Sequence, residues 1–179
     1  MNTNPFDLRL REAIRNVPDF PKPGIQFKDI TPILLDSSLC REVATAVAFP
    51  FRERMPDAVM GIESRGFLFG MMMASALGVA FIPARKEGKL PARTHKKTYA
   101  LEYGSSTIEV HEDAIRPGMR IVIHDDLLAT GGTAAAAAAI CQENGANVSG
   151  FSFLVELSDL RGRERLLTFS PQIESLLFY

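Results

Sequence analysis

Residues 121–133 read Ile121-Val122-Ile123-His124-Asp125-Asp126-Leu127-Leu128-Ala129-Thr130-Gly131-Gly132-Thr133. The opening Ile-Val-Ile is a β-branched apolar run, short enough for a strand buried on both faces, as parallel strands of α/β sheets are. The chemistry then changes abruptly. Asp125 and Asp126 fall where that strand should end, and in an open α/β sheet ligands collect outside the carboxyl ends of the strands. Residues 129–133 are small, and two of them lack a Cβ, so the backbone can turn sharply and bring its N–H groups close to an anion. Six alanines follow at 134–139. They have the highest helix propensity available, which predicts a helix beginning at the loop and lending its free N–H groups and dipole to the anion site. The order is strand, acidic pair, phosphate loop, helix. Acceptors for hydroxyls thus lie beside donors for a phosphate, as a ribose 5-phosphate requires.

Two commoner phosphate motifs do not fit, since no GK[ST] follows, the loop holds no lysine, and GxGxxG is absent. A Gly-Gly turn and a pair of aspartates are each frequent in solvated loops and caps. In this order they are far more specific than either alone.

The whole chain sets bounds on what such a site can serve. At 179 residues, with 46% hydrophobic and 23% charged residues, it suits a single soluble domain. A formal net charge of −1 gives no general electrostatic reason to bind nucleic acid or an anionic membrane. Cys40 and Cys141 are far apart and lack metal-ligand spacing, which fits a reducing compartment. With no apolar stretch long enough to span a bilayer and charges at Asp7, Arg9, Arg11 and Glu12, a cytoplasmic location is expected.

Outward from the central stretch, strand-loop-helix units repeat. Residues 58–62 read as a strand, Glu63-Ser64-Arg65-Gly66 as a loop, and 67–77 as a helix closed by Gly78. Residues 79–84 form another apolar run, a parallel neighbour, and end in Arg85-Lys86-Glu87-Gly88-Lys89-Leu90-Pro91. Those three cations belong on the same carboxyl edge as the acidic pair, where a diphosphate would explain both. A charge run is more often a solvated face. Residues 92–111 break the rhythm: two alternating segments, 98–103 and 106–111, around Gly104-Ser105 predict a β-hairpin. Its cations should repel one another, and few large apolar residues anchor it, so it suits a lid that excludes water.

Toward the N-terminus, 6–16 has helical apolar spacing, and the prolines at 18, 21 and 23 predict an irregular segment or short strand over 18–32. A second helix follows, capped by Ser37 or Ser38 and stopped by Pro56. Toward the C-terminus, Asn144-Gly145 closes the alanine helix, 148–155 is a strand, and 173–179 a final one. Arg161, Arg163 and Arg165 have no spacing that compels a site and are expected at the surface or a subunit contact.

Five of these segments carry a resemblance. DDLLATGGT resembles the phosphoribosyl-diphosphate (PRPP) signature of the type I phosphoribosyltransferases, and its Leu-Leu-Ala-Thr form is similar to that of the family's adenine branch. PGIQFKDITP resembles that branch's base-binding hood, ESRGFLFG and RKEGKLP its two diphosphate contacts, and ALEYG its mobile loop. His124 departs from the pattern, in which a small apolar residue is usual. The resemblance implies one α/β domain over 1–179 of Rossmann-like type I phosphoribosyltransferase fold. Its central parallel sheet would be flanked by helices, with a small N-terminal hood at 1–35 and a hairpin lid at 92–111. It further implies that Asp125 and Asp126 bind the ribose hydroxyls while Ala129, Thr130, Gly131, Gly132 and Thr133 cradle the 5′-phosphate. Ser64, Arg65, Arg85, Lys86 and Lys89 would hold the diphosphate, with Arg85 directed to a partner subunit. Gln26, Phe27, Lys28 and Leu127 would bind adenine, and Glu102, Tyr103 and Arg65 would act in catalysis.

The implied reaction is adenine plus PRPP giving AMP and diphosphate, in a homodimer, with Mg²⁺ carried mainly by PRPP and not by a protein cage. A phosphoribosyltransferase for another base is the near alternative, because the central motif specifies PRPP and not the base. A non-catalytic PRPP- or nucleotide-binding regulator is the alternative of another class.

Overall fold

The computed structural model describes residues 4–100 and 104–179. Glu102 and Tyr103, expected over the reactants, lie outside the described residues. Elements run α1 (Pro5–Ala13), β1 (Arg15–Pro18), β2 (Gln26–Asp29), α2 (Thr31–Leu34), α3 (Ser37–Ala48), β3 (Ala58–Ile62), α4 (Gly66–Leu77), β4 (Ala80–Lys86), β5 (Thr94–Ala100), β6 (Ser105–His111), β7 (Arg120–Leu128), α5 (Gly132–Glu143), β8 (Asn147–Glu156), α6 (Gly162–Leu166) and β9 (Ile173–Phe178). The main sheet has the order β5-β6-β4-β3-β7-β8-β9. Strands β4, β3, β7, β8 and β9 are parallel, and the β5–β6 hairpin joins antiparallel at the β4 edge. Among the described residues no helix is long and apolar enough to cross a membrane.

Burial on both faces follows from the apolar runs. Ala58, Met60, Ile121 and Ile123 point into a core shared with α5 and the hairpin. Their alternates Val59 and Val122 enter a second core with α1, α3 and α4. Chain order reverses between β3 and β7: the chain leaves β3 for β4 on one side and returns to β7 on the other. Such a switch point opens a crevice at the strands' carboxyl ends.

Several expectations need correction. β7 runs through Asp125 and Asp126 to Leu128, because β8 pairs with it as far as Leu128↔Glu156, whereas its pairing with β3 stops at Gly61↔His124. The first helix ends at Ala13, and 15–18 form a strand instead. Asp36 and not a serine caps α3, its carboxylate accepting the Ser38 and Leu39 N–H groups, and the helix gives way to a 3₁₀ turn containing Pro50 before Pro56 is reached. The hairpin begins at Thr94, four residues before the expected 98, and belongs to the main sheet through Arg85↔Glu109 and Lys86↔Ile108. Its cations do not stand in mutual repulsion: Lys96 pairs with Glu87, and Lys97 with Glu143 on α5. Arg163 is partly exposed, and its fork grips Glu156 at 2.7 and 3.0 Å and donates to the Ile173 carbonyl.

Candidate active site

The crevice forms where β7 outruns β3. Asp125 is half-buried and Asp126 buried. The Asp125 carboxylate accepts the Asp126 N–H at 2.9 Å. Burial pushes both carboxyls up, and for Asp125 the adjoining Asp126 charge adds to it. Arg65, just before α4, places its Nε 2.8 Å from Asp126 Oδ2 and partly offsets that cost. A cleft of 280 Å³ is lined by Glu63, Ser64, Arg65, Lys86, Asp125 and Asp126. A second of 260 Å³ shares Glu63, Lys86 and Asp125 and reaches Tyr99 and Thr133. A third of 80 Å³ lies within the loop 129–133. All three clefts meet at Asp125, while Arg85 and Lys89 of the expected diphosphate set line none of them.

Local sequence explains the close fit. Gly66 opens α4 directly against β7: a Cβ there would lie 2.8 Å from the His124 carbonyl and 2.9 Å from Asp125 Oδ1. Gly131 takes φ +73° at the N-terminus of α5, the left-handed region that favours glycine. The helix then directs its free N–H groups at the loop, and the Thr133 hydroxyl donates to the Tyr99 hydroxyl at 2.9 Å.

His124 fits because its neighbours are small. Gly61 lies beside it in register, and Gly70 on α4 leaves room for the ring. The side chain is fully buried, Nδ1 lies 3.2 Å from Ser152 Oγ, and burial lowers its pKa to about 3, so it is neutral at physiological pH.

The basic segment is held by carboxylates. Glu63 accepts from Arg85 Nε and one terminal guanidinium nitrogen at 3.3 and 3.2 Å, and from the Lys86 N–H at 2.9 Å. Arg85 also donates to the Lys89 carbonyl at 2.9 Å, so its fork is engaged within its own protomer. Lys86 and Lys89 are exposed.

The hood is the antiparallel pair β1–β2, with Val17 opposite Phe27 and Asn16 opposite Lys28. Phe27 meets Phe20 edge-on at 5.1 Å, and Arg65 stacks over its ring at 4.7 Å. Lys28 directs its ammonium away, to Asn16 Oδ1 at 2.6 Å and over the Tyr179 ring. Gln26 is exposed. Leu127 lies past the acidic pair on β7, half-buried.

Three supporting residues are not singled out by the sequence: Glu63, Tyr99 and Gly162. Gly162 opens α6 against the phosphate loop, where a Cβ would come within 2.2 Å of the Ala129 carbonyl and 3.0 Å of the Gly131 nitrogen. Only the glycine itself, in RGRERL, could have signalled a close approach.

Comparisons with known proteins agree with this geometry. The phosphoribosyl transferase domain model matches residues 33–164. The adenine phosphoribosyltransferase of Desulfitobacterium hafniense strain Y51 is 56% identical over 153 residues, covering 86% of this chain and 88% of its own. That of Roseiflexus sp. strain RS-1 is 52% identical over 166 residues, with 93% and 94% covered. The crystal structure of adenine phosphoribosyltransferase from Rhodothermus marinus superimposes with a TM-score of 0.90 at 48% identity, over 97% of this chain and 98% of that one. The Saccharomyces cerevisiae enzyme, complexed with an imino-altritol bisphosphate and adenine, gives 0.90 at 40% identity, with 96% and 98% covered. Likeness this deep extends well beyond the PRPP signature to the hood and the hairpin, and the chain therefore belongs to the adenine phosphoribosyltransferases of the type I phosphoribosyltransferase family.

Proposed function

We propose that the crevice joins adenine to PRPP, giving AMP and diphosphate in purine salvage. The carrying observation is Arg65, whose guanidinium lies over Phe27 of the hood while its Nε touches Asp126. Base site and sugar site therefore adjoin, as a bond between them demands.

Asp125 and Asp126 accept the ribose hydroxyls, and the N–H groups of Ala129, Thr130, Gly131, Gly132 and Thr133 hold the 5′-phosphate. With the sugar fixed at both ends, the anomeric carbon is oriented for in-line attack. Loss of diphosphate leaves an oxocarbenium-like centre, as in other glycosyl transfers. Ser64, Arg65, Lys86 and Lys89 stabilise the charge growing on the leaving group. The oxygens of Asp125 and Asp126 are hard donors of the kind Mg²⁺ accepts, directly or through retained waters. Carried mainly by PRPP, the ion would supply further charge neutralisation at the diphosphate. Among the described residues no cluster of three or more His, Cys, Asp or Glu side chains could hold a metal. Adenine stacks on Phe27, its edge along the backbone of Gln26 and Lys28, with Leu127 at its other side. Glu102 shares a proton with purine N7, and Tyr103 acts in catalysis beside it.

The protein works as a cytoplasmic homodimer. Supporting this, α4 is apolar on nearly every side yet leaves Leu68 and Met71 exposed, and a helix apolar all round needs cover. A C₂ pairing is the commonest cover.

The test is a panel of radiolabelled adenine, hypoxanthine, guanine and orotate, each with PRPP and Mg²⁺. Adenine alone should be converted. Turnover of another base in its place would move the chain to a different transferase, and binding of PRPP with no turnover would leave a regulator. Sedimentation of the same preparation should give twice the 19.7 kDa chain mass, and a monomer at micromolar concentration would remove the dimer.

Gly162→Ala probes the phosphate loop. The added methyl must displace the Ala129 carbonyl, and overpacking of this kind costs about 1–3 kcal/mol. The melting temperature should fall modestly, while the KM for PRPP rises roughly tenfold, since the displaced loop no longer presents its N–H groups in place. An unchanged KM for PRPP would show that the loop tolerates the contact.

A further inference from the structure

One buried charge stands outside the roles given above and against the basic turn. Glu109, on β6, is 2% exposed, between the fully apolar Ile108 and Val110. Its Oε1 accepts the N–H groups of Lys89 and Leu90 at 2.9 and 3.0 Å. Its Oε2 accepts the Thr94 hydroxyl at 3.3 Å and lies 3.7 Å from the Lys96 ammonium. At the far end of the same turn Glu63 accepts the Lys86 N–H, and between them the Glu87 N–H goes to the Thr107 carbonyl at 3.1 Å. The turn is therefore pinned at both ends by carboxylates and in the middle by the hairpin.

An apolar side chain would satisfy burial at 109 equally well, but it would leave the Lys89 and Leu90 N–H groups without their acceptor. Burial pushes the Glu109 carboxyl up, but the N–H groups of Leu90 and Lys89, the Thr94 hydroxyl and the Lys96 charge outweigh it and hold the group below its usual value. A lysine on a flexible stem reaches only as accurately as its backbone is placed.

We propose that Glu109 is a positioning residue of the transferase reaction: by accepting two consecutive N–H groups it fixes the 86–90 turn so that Lys89, and with it Lys86, meets the diphosphate. This rests on the function proposed above. Glu109 touches no reactant itself. It also ties the turn to the hairpin, so that the strand carrying Lys96 and the segment carrying Lys89 hold one position relative to each other.

The experiment compares Glu109→Leu, Glu109→Gln and Lys89→Ala as single variants, together with the double variant that combines Glu109→Leu and Lys89→Ala, reading KM for PRPP and for adenine separately. Glu109→Leu should raise the KM for PRPP about tenfold while the KM for adenine changes less than about twofold. Glu109→Gln keeps an acceptor for the two N–H groups and should stay within about two- to threefold of the wild type. On the Lys89→Ala background, Glu109→Leu should add less than about twofold, because residues that act as a unit are not additive. Effects that multiply independently, or an equal rise in both KM values with Gln no better than Leu, would overturn the proposal and leave a structural residue. If Glu109→Leu does not fold, Glu109→Met, unbranched and equally without an acceptor for the two N–H groups, takes its place in the same assays, and an unchanged KM for PRPP there overturns the proposal. Wild-type protein that turns over no PRPP would instead remove the functional reading itself, before any variant is compared.

Discussion

Replacing Asp125 by Asn should cut turnover about ten- to a hundredfold and at the same time raise the melting temperature at neutral pH. Hydrogen bonds to a charged acceptor are worth about 1.5–3 kcal/mol, and about 1.4 kcal/mol is tenfold in rate, so weakening the acceptors for the ribose hydroxyls accounts for the loss. The gain in stability comes from the same carboxylate. Burial and the Asp126 charge raise the Asp125 pKa in the folded chain, so the folded state binds its proton more tightly than the unfolded one does. Between the unfolded value, about 3.9, and the folded one, stability falls as pH rises. Asparagine has no charge to bury, so its advantage is absent in acid, appears above the unfolded carboxylate range, and is complete above the folded pKa. Asp126→Asn should lose as much activity but gain less stability, since it leaves Arg65 without its ion-pair partner. Rates and melting curves between about pH 4 and 8 check both halves. Full activity would remove Asp125 from the ribose site, and a melting temperature lowered equally at every pH would make it a structural residue.

Adenine should be preferred over hypoxanthine by about 10⁴ or more in kcat/KM, the range reached where buried polar groups of a site are matched to one partner. Adenine offers a 6-amino donor and an N1 acceptor, and hypoxanthine reverses both. Gln26 and Lys28 are two apart on β2, so their backbone groups leave the strand on the same side. Fixed by pairing with β1, that edge cannot invert its donors and acceptors. Hypoxanthine would meet acceptor against acceptor and donor against donor, and lose the offset to desolvation. Because Lys28 turns its ammonium toward Asn16 and Tyr179, side-chain changes at 26 and 28 should leave the ratio within a few-fold. Phe27→Ala should instead weaken every purine, by removing stacking surface. Comparable rates on the two bases would take base recognition away from this strand.

How much of this is legible in the sequence depends on how far apart the partners lie. The strand at 58–62 and the helix closed by Gly78 emerge as expected, because apolar run, turn and cap are all local, although the helix opens at Gly66, one residue inside the expected 63–66 loop. Asp125 and Asp126 are found by the change from β-branched to acidic residues, but the same change misplaces the strand's end. Two aspartates lower strand propensity, and only pairing with β8, more than twenty residues on, carries β7 past them. Asp36 outcompetes the serines as cap of α3 while also pairing with Arg9. Glu109 and Gly162 are not visible at all as parts of the site. The first acts on residues 19 and 20 positions earlier, the second on a loop on the other side of α5 and β8, and neither spacing leaves a pattern.

The difference in length between β3 and β7 has a consequence of its own. Past His124, β7 runs on beside β8 as far as Leu128, whereas β3 ends at Ile62, level with Asp125, and leaves 126–128 without it on the other flank. Three residues at ~3.3 Å each make a step ~10 Å deep. The step, and not the loops around it, dictates how long a molecule can lie against the sheet. Lengthening β3 by two residues would fill most of it while leaving every side chain of β7 unchanged. Relatives could thus exchange hood or hairpin, and with them the choice of base, without resizing the berth for the sugar phosphate. A change in the step itself would alter every substrate together.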